Sequence, residues 1–353
     1  MRIGHRQIGL NDPPYIIAEI GVNHDGSVER AADLIESAVI AGADAVKLQL
    51  FRADLLMSGA SRLAAYQRSA GEEDPVSMLR RLELSIEELS RLVTIAHAAG
   101  AHAIVTVFSL ELVEAASRLP WDAFKTASPD IVHRPLLEAL AAKGRPLIVS
   151  TGASTADEVK RAVGWLRDAG VRDRLALLQC VSSYPVPPGQ ESLEGINALR
   201  GMFEGPVGYS DHTTGVETGA MAVQRGATIL EKHFTDDRSR VGPDHAASAS
   251  PEAFAAYVRL TRGAWKDGGV SRGLREAAGE KRVLECEQDV REASRQSIVT
   301  RRDLPAGHVV GREDVTFKRP GTGLQPWRVD EVVGRVMIRA VAGDRPLCEG
   351  DVA

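Results

Sequence analysis

Eight short strand-like runs alternate with amphipathic helical stretches up to Lys266, and this alternation restricts the chain to few folds. The runs are Tyr15–Gly21, Ala45–Phe51, His102–Phe108, Ala123–Ser128, Pro146–Gly152, Leu175–Val181, Pro206–His212 and Thr228–Phe234. Strands separated by helices pair in parallel through right-handed crossovers. Eight such units fit the usual size of a (β/α)8 barrel, about 250 residues. A doubly wound open sheet is the alternative, but the first turn carries no G-x-G-x-x-G fingerprint.

Glycines and one capping motif predict where the helices begin and end. A glycine suits a helix C-terminus, and four helical stretches are followed by one: Gly42, Gly100, Gly170 and Gly226. Thr155 and Glu158 have the spacing of a capping box, which opens the helix after the fifth strand. The turns of the βα units are therefore predicted together with the strands.

The alternation stops after Lys266. The next residues are charged and contain glycines, and from Arg295 onward short β-type runs are broken by Pro and Gly turns. We expect a barrel over residues 1–267, a linker over 268–292 and a small, mostly β domain over 293–353. The predicted fold class is α/β, a (β/α)8 TIM barrel followed by that small domain.

Charge and composition argue against several classes of protein. A net charge of −5 is unlike that of a general nucleic-acid binder, which usually carries a basic face. Three widely spaced cysteines indicate free thiols in a reducing compartment. The N-terminus lacks the apolar segment of a signal peptide, and no apolar run is long enough to cross a bilayer. We expect a cytoplasmic protein with neither a nucleic acid nor a membrane as partner.

Polar residues collect at the carboxyl ends of all eight strands, where barrels of this kind place their active sites. In chain order the candidates are Glu19, Lys47, Gln49, Thr106, Lys125, Ser128, Ser150, Tyr184, Ser210, His212, Glu231 and His233, followed by Asp244. A single polar residue at a strand end is usually a cap or a solvated edge. Such residues on every strand favour an active site.

Lys47 and Lys125 stand inside otherwise apolar strands, where a lysine is rarely buried without a partner. One interpretation is a salt bridge at the barrel mouth. The other is an anion site for phosphate or carboxylate, since each ammonium group is a compact positive charge. The sequence leaves both interpretations open.

His212 and His233 come from neighbouring strands near the mouth, with Glu231 between them in sequence. A lone histidine at a strand end is usually a hydrogen-bonded core or surface residue. Two on adjacent strands favour one divalent metal ion, because neutral imidazoles suit Mn, Fe or Zn and leave positions open for water and substrate.

Several fragments in this order resemble the sialic acid synthase family, of the N-acetylneuraminate and legionaminate synthase type. They include "IIAEIGVNHDGS", "GADAVKLQLFRADLLMS", "FKTAS", "YSDHTTG", "EKHFTDD" and "KRPGTG". The resemblance implies condensation of phosphoenolpyruvate with a six-carbon N-acylated amino sugar. It also implies a C-terminal antifreeze-like (SAF) domain and a domain-swapped homodimer, in which the tail of one chain caps the barrel of the other.

The same resemblance implies roles for the candidate residues. Those that would grip the phosphate and carboxylate of phosphoenolpyruvate are Lys47, Thr106, Lys125, Ser128 and Ser150. Glu19 resembles the acid/base carboxylate, with Glu231 as a second candidate, and the two lysines would also stabilise developing charge. The remaining substrate contacts would be Gln49, Tyr184, Ser210, Asp244 and Arg319, the last reaching the N-acyl group in the partner's sugar pocket.

His212 and His233 would, by this resemblance, hold a divalent ion, Mn²⁺ in the first place and Mg²⁺ in the second. One departure concerns Leu50, where the family often has threonine. By strand alternation Leu50 should point away from Gln49 towards the surrounding helices, so we expect little effect on chemistry.

N-acetylmannosamine, which would give N-acetylneuraminate and phosphate by C–O cleavage, is the first choice of sugar. The alternative is 2,4-diacetamido-2,4,6-trideoxymannose, which would give legionaminate, and a pseudaminate branch is less favoured. Two other classes stay open: a Schiff-base pyruvate aldolase with Lys125 as nucleophile, and a sugar-binding protein without catalysis.

Overall fold

The computed structural model describes residues 1–268 and 279–353. A short antiparallel hairpin, β1 (Arg2–Ile3) and β2 (Arg6–Gln7), precedes the barrel. The eight barrel strands are β3 (Tyr15–Gly21), β4 (Ala45–Leu50), β5 (His102–Val107), β6 (Ala123–Thr126), β7 (Leu147–Ser150), β8 (Leu175–Cys180), β9 (Val207–Asp211) and β10 (Ile229–His233). They pair in parallel and close where β10 meets β3, which confirms the predicted barrel.

Most predicted strands extend one or two residues beyond the observed ones. Ser128 and Gly152, for example, were placed at strand ends, but the strands stop at Thr126 and Ser150. Ser128 opens a short 3-10 helix instead. Ser128 and His212, which follow their strands, line the mouth of the barrel together with polar residues that lie within the strands.

Strand alternation divides the barrel into an outer apolar layer and a stacked interior. On β3, Ile16, Ala18 and Ile20 pack outward against the helices. The interior positions of the same strand are first apolar, at Ile17, and then charged, at Glu19. The other strands follow this order, so the interior is apolar near the amino ends of the strands and polar near their carboxyl ends.

Among the described residues, eleven α-helices have five residues or more, and two have four. They are α1 (Val28–Ile40), α2 (Ala53–Leu56), α3 (Ala65–Ser69), α4 (Pro75–Leu82), α5 (Ile86–Ala98), α6 (Val113–Ser117), α7 (Arg134–Ala141), α8 (Ala156–Asp168), α9 (Glu194–Met202), α10 (Thr218–Gln224) and α11 (Pro251–Lys266), with α12 and α13 in the C-terminal part. None in the described ranges has the length and apolar character needed to span a membrane.

The helix signals read from the sequence are confirmed. Thr155 accepts a hydrogen bond from the amide of Glu158 and the carboxylate of Glu158 accepts one from the amide of Thr155, at the start of α8. The four glycines predicted at helix ends all have positive φ angles, from +73° at Gly170 to +99° at Gly42. A residue without Cβ adopts this left-handed conformation at little cost.

The connection from β4 to α5 is the longest crossover and carries α2, α3 and α4. Its apolar residues form a separate cluster with Phe108 and Val22 at the side of the barrel mouth. The ends of these short helices are fixed locally; Asp74, for example, accepts a hydrogen bond from the amide of Ser77 at the start of α4. The insertion therefore builds one wall above the strand ends.

The C-terminal part contains α12 (Gln288–Ser294), β11 (Ser297–Thr300), β12 (Val315–Lys318) and α13 (Val329–Val332). β11 and β12 pair antiparallel over a small apolar core of their own. The part of the predicted linker at 269–278 lies outside the described residues. The predicted domain boundaries stay a prediction.

Candidate active site

One pocket opens at the carboxyl ends of the barrel strands. Its lining includes all fourteen residues singled out from the sequence: Glu19, Lys47, Gln49, Thr106, Lys125, Ser128, Ser150, Tyr184, Ser210, His212, Glu231, His233, Asp244 and Arg319. Thirteen come from the barrel and Arg319 comes from the C-terminal domain. The structure thus brings the candidates together, while their chemical roles stay predictions.

Lys47 is the centre of the charged network. The register of β3 and β4 sets Glu19 beside Lys47, and their side chains are in direct ionic contact. Lys47 also donates a hydrogen bond to Thr106 Oγ1 at 3.0 Å, and its Nζ lies 4.0 Å from Glu231 Oε2. Gln49 donates to the other oxygen of Glu19 at 2.9 Å. The carboxylate of Glu19 is therefore held in one orientation.

Lys125 completes this network through Glu231. Its Nζ lies 3.3 Å from Glu231 Oε1, which also accepts a hydrogen bond from Ser210 at 2.8 Å. Both lysines therefore make the mouth salt bridges foreseen in one interpretation. They line the pocket as well, so the salt bridges do not remove them from a ligand's reach.

In this network, burial and the neighbouring groups of opposite charge have opposing effects on each pKa. Burial lowers the pKa of Lys47 to about 7, although Glu231 acts to raise it. For Glu231, burial raises the pKa, but Lys125 and Lys47 outweigh that effect and lower it to about 2. Glu231 is therefore an anion at neutral pH, whereas the charge of Lys47 responds to pH near 7.

Three serines at the ends of neighbouring strands form a cradle of hydroxyl groups. Ser128 Oγ accepts a hydrogen bond from the amide of Gly152 at 2.9 Å. The Oγ atoms of Ser150 and Ser182 are buried without a hydrogen-bond partner. A Cβ on Gly152 would lie 2.3 Å from Ser182 Oγ and 2.8 Å from Ser128 Oγ, so only glycine leaves room there. Buried unpaired hydroxyls beside two lysines suit an anionic ligand.

The two histidines face each other across the pocket, with ring centroids 5.4 Å apart. His212 Nδ1 lies 2.8 Å from the carbonyl oxygen of Val181, an arrangement that assigns the proton to Nδ1 and leaves Nε2 free to accept. Burial and the neighbouring His212 lower the pKa of His233 well below its ordinary value, so His233 is neutral. Burial acts to lower the pKa of His212, but Cys180 and the carbonyl of Val181 outweigh burial and raise this pKa above its ordinary value. The fixed tautomer of His212 and the neutral ring of His233 each leave a ring nitrogen that could bind a metal ion.

The fit to a metal ion is limited to these two protein ligands. Within residues 1–268 and 279–353, no group of three or more His, Cys, Asp and Glu side chains is arranged to hold an ion. Asp244 lies near, with its Oδ2 3.5 Å from His233 Nδ1. A bound ion would therefore take most of its ligands from water and substrate, as an open catalytic site does.

Aromatic side chains cover the outer part of the pocket. The ring of Tyr184 lies 4.2 Å from that of His212 and 4.9 Å from that of Tyr66, measured between centroids. The guanidinium of Arg319 lies over the ring of Phe108, 5.6 Å from its centroid. These groups are positioned to contact the part of a substrate nearest to solvent.

Arg319 reaches the mouth of its own chain's barrel in this structure. Its amide donates to the carbonyl of Leu56, and its carbonyl accepts from the hydroxyls of Ser58 and Ser61 at 2.6 and 2.8 Å. We had expected Arg319 to enter the pocket of a partner chain. The exchange of domains between two subunits stays a prediction.

The sequence profile of the NeuB family matches residues 34–272, and that of the SAF domain matches residues 295–353. The chain belongs to the NeuB family. An N,N'-diacetyllegionaminic acid synthase from Legionella pneumophila is 37% identical over 95% of this chain and 94% of its own length. The human N-acetylneuraminate-9-phosphate synthase is 30% identical over 98% and 94%. The members of this family are nonulosonic acid synthases that use phosphoenolpyruvate.

A solved structure supports the same assignment for the fold. The spore coat polysaccharide biosynthesis protein SpsE from Bacillus subtilis superposes with a TM-score of 0.84 at 28% identity, covering 100% of this chain and 99% of that one. The NeuB barrel and its SAF domain are therefore both represented in a known structure.

Four residues near the NeuB site were not found from the sequence. Tyr66 and Gln67 line the pocket from the β4–α5 insertion. Asp130 lies behind Arg319; burial raises its pKa to about 7, although Arg319 acts to lower it. Glu287 is buried in the segment that was predicted as a linker. Asp130 could have been found from its position two residues after Ser128. Glu287 could not, because the charges around it resemble those of a solvated helix.

Proposed function

We propose that this protein condenses phosphoenolpyruvate with an N-acylated amino sugar to give a nonulosonic acid and inorganic phosphate. The observation that carries the proposal is the juxtaposition of two buried lysines, three serine hydroxyls and two carboxylates in one pocket. Positive charge and unpaired hydroxyls suit the phosphate and carboxylate of phosphoenolpyruvate. The carboxylates supply the proton transfer that the reaction needs.

In the proposed reaction, carbon 3 of phosphoenolpyruvate attacks the aldehyde carbon of the open-chain sugar. Water adds at carbon 2, and the resulting tetrahedral intermediate loses phosphate by cleavage of its C–O bond. Lys47 and Lys125 stabilise the charge on the phosphate and carboxylate oxygens throughout. Thr106, Ser128 and Ser150 fix the orientation of these oxygens by hydrogen bonds.

Glu19 is the proposed acid/base group. Lys47 and Gln49 hold its two oxygens from different sides, and the carboxylate lines the pocket beside Glu231. Glu19 takes a proton from the attacking water and Glu231 is the second candidate for this role. Glu231 is held in a similar way, by Lys125 and Ser210, so the kinetics of Glu19→Gln and Glu231→Gln are needed to separate the two roles.

His212 and His233 would hold the divalent ion, with Mn²⁺ as first choice and Mg²⁺ as second. When bound, such an ion polarises the aldehyde oxygen and lowers the barrier to attack. Ser210 and Tyr184, which lie beside these rings, would orient the sugar.

The choice of sugar depends on an apolar wall of the pocket. Its members line the pocket and belong to the cluster built around the β4–α5 insertion: Val22, Phe51, Leu56, Met78, Leu79, Leu82 and Phe108. An apolar wall suits methyl groups better than hydroxyls. The diacetamido-trideoxy sugar carries a methyl group at carbon 6 and a second acetyl group, whereas N-acetylmannosamine carries hydroxyls at these positions.

We therefore favour 2,4-diacetamido-2,4,6-trideoxymannose over N-acetylmannosamine. The 37% identity to a legionaminic acid synthase, against 30% to a sialic acid phosphate synthase, points in the same direction. The product would be a legionaminate-type acid. N-acetylneuraminate, our first choice from the sequence, becomes the second candidate.

The deciding experiment is a phosphate-release assay with phosphoenolpyruvate, Mn²⁺ and each sugar in turn, repeated with chelator. We expect release that depends on the sugar and the metal, and a higher kcat/KM with the diacetamido sugar. Release with N-acetylmannosamine alone would reverse the choice of sugar. Absence of release with either sugar from folded, Mn²⁺-supplied protein would contradict the proposal.

The Schiff-base aldolase is tested in parallel by borohydride trapping with pyruvate. The Nζ of Lys125 lies 3.3 Å from Glu231 Oε1, in an ion pair that would have to open before this nitrogen could attack a carbonyl carbon. We expect no trapped adduct. A trapped adduct lost in Lys125→Arg would replace the condensation by the aldolase reaction, and sugar binding without turnover would indicate a non-catalytic protein.

We also propose that the SAF domain is exchanged in a homodimer. The contacts of Arg319 with the barrel mouth are the same whichever chain supplies the domain. Mixing Lys47→Ala protein with Arg319→Ala protein, after unfolding and refolding together, distinguishes the two arrangements. Exchange rebuilds one intact site in each mixed dimer and restores activity, whereas domains that stay on their own barrel leave every site defective.

A further inference from the structure

A single buried carboxylate joins the segment before the SAF domain to two loops of the barrel mouth. Glu287 is 1% exposed. Its Oε1 accepts hydrogen bonds from the amides of Ala153 at 2.6 Å and Ser182 at 2.7 Å. Its Oε2 accepts one from the amide of Leu284 at 2.9 Å, within its own segment. One side chain therefore fixes the loops after β7 and β8 relative to each other.

Backbone amides are the direct hydrogen-bond donors to Glu287, and the buried ammonium group of Lys281 interacts with its charge from a greater distance. Among the residues that the structure describes, no basic nitrogen lies within 4.0 Å of its carboxylate, so no salt bridge is formed. A carboxylate that accepts several amide hydrogen bonds is held firmly in one orientation. The geometry is that of a backbone-binding group.

Ala153 needs such an external restraint. It has φ of +49°, which lies in the left-handed region that residues with a Cβ enter at a cost of about 1–2 kcal/mol. Its carbonyl is held as well, by Arg291 and by Arg295, the latter at 3.2 Å. Both arginines are anchored on the carboxylate of Glu158. Without these contacts the loop is free to relax to an ordinary conformation.

The restrained loops carry the hydroxyl cradle of the pocket. Ser150 and Gly152 lie three residues and one residue before Ala153. Ser182 supplies both an amide to Glu287 and an unpaired hydroxyl to the pocket. Glu287 does not line the pocket itself. A movement of either amide would displace the serine hydroxyls relative to Lys47 and Lys125.

We propose that Glu287 is a positioning residue for the phosphoenolpyruvate cradle, acting through the backbone of the two loops without touching the substrate. This inference rests on the proposed function for its kinetic consequence. Its geometric consequence, the restraint of the amides of Ala153 and Ser182, does not depend on any activity.

The test compares Glu287→Gln with Glu285→Gln, a matched change at an exposed carboxylate in the same segment. Glu287 accepts hydrogen bonds on both oxygens, from the two loops on Oε1 and from Leu284 on Oε2. Gln has one uncharged acceptor oxygen, and its NH2 group would face an N–H donor on the other side, so the restraint of the loops is weakened. We expect the KM for phosphoenolpyruvate to rise about tenfold, comparable to the loss of one charge-assisted hydrogen bond. The KM for the sugar should stay as in the wild type, and Glu285→Gln should change neither.

Hydrogen exchange measured by mass spectrometry provides the second readout. Peptides containing Ala153 and Ser182 should exchange faster in Glu287→Gln than in Glu285→Gln, while the remaining barrel peptides are unchanged. If the Gln variant does not fold, Glu287→Asp replaces it; the shorter side chain keeps the charge but cannot span both loops, and the same changes are expected.

Two outcomes would overturn the inference. Wild-type KM and wild-type exchange at both loops would show that Glu287 positions nothing. A lower kcat with both KM values unchanged, together with faster exchange throughout the barrel, would show a role in stability alone. If the wild-type protein releases no phosphate with either sugar, the proposed function fails, and the exchange pattern with calorimetric binding of phosphoenolpyruvate still decides the role of Glu287.

Discussion

The barrel interior has a lower half, at the amino ends of the strands, and an upper half, at their carboxyl ends. Both halves are built on the same strands but have different functions. Lower positions are apolar: Ile17, Ala45, Ile104, Ala123, Ile148, Ala176, Leu178 and Ile229. Two residues further along, the same strands carry Glu19, Lys47, Thr106, Lys125, Ser150, Cys180 and Glu231. Strand alternation decides only which side chains face inward. The position along the strand decides whether an inward side chain stabilises the fold or contacts a ligand.

The two halves also differ in how many of their buried polar atoms have a hydrogen-bond partner. In the lower half, the buried hydroxyl of Tyr15 is paired with His102 Nδ1 at 2.9 Å, whereas the upper half contains buried polar atoms without a hydrogen-bond partner, such as Ser150 Oγ. Leaving such groups unpaired costs stability. The upper half is therefore complementary to a ligand and depends on the lower half for a stable frame.

Removing one cation from the upper half gives the largest expected effect. Lys125→Met should lower kcat/KM for phosphoenolpyruvate by about 10²–10³-fold, as the loss of one preorganised charge-stabilising group does elsewhere. Steady-state phosphate release measures it. Lys143→Met, at a lysine outside the pocket, serves as the control and should be neutral. A kcat/KM near that of the wild type in Lys125→Met would contradict the proposal that inward side chains at the carboxyl ends of the strands contact the ligand.

A truncation in the lower half should change stability and leave chemistry intact. Ile104 is fully buried between the strands. Ile104→Ala should lower the free energy of unfolding by about 2–5 kcal/mol, since it leaves a cavity that the closed barrel cannot fill. Urea unfolding measures the loss. KM and kcat per folded molecule should match the wild type, and a raised KM would show that the two halves are coupled.

The smallest expected effect is a dependence on pH that belongs to the upper half alone. Burial lowers the pKa of Lys47 to about 7, so its positive charge is present below pH 7 and lost above it. The KM for phosphoenolpyruvate should rise by up to about tenfold per pH unit above 7. Lys47→Arg keeps its charge over this range and should flatten the profile. An unchanged slope in that variant would assign the titration to another group.

Much of this division can be read from the sequence, because strand period and strand-end chemistry are local signals. Leu50 illustrates it: alternation predicted an outward side chain, and Leu50 packs in the outer layer. Lys47 and Lys125 stood out because lysine is unexpected inside an apolar strand. Their placement on one side of one pocket then followed from the parallel register.

The groups that hold the site from outside the barrel could not be read in this way. Glu287 and Gln296 lie in a charged segment whose composition is that of an exposed helix. They are buried because the segment docks on the mouth; Gln296, for example, donates to the carbonyl of Phe108 and to Asp130. Contacts between residues more than 100 positions apart in the chain leave no local pattern.

The hairpin of β1 and β2 affects how molecules can enter and leave the barrel. Its neighbours Ile3 and Ile8 pack into the apolar floor beside Tyr15 and close the barrel from below. In the part of the chain that the structure describes, the pocket with the candidate residues opens at the carboxyl ends of the strands, where Arg319 lines it. The molecule held deepest must enter first and leave last. For the proposed reaction we therefore expect an ordered mechanism, in which phosphoenolpyruvate binds before the sugar.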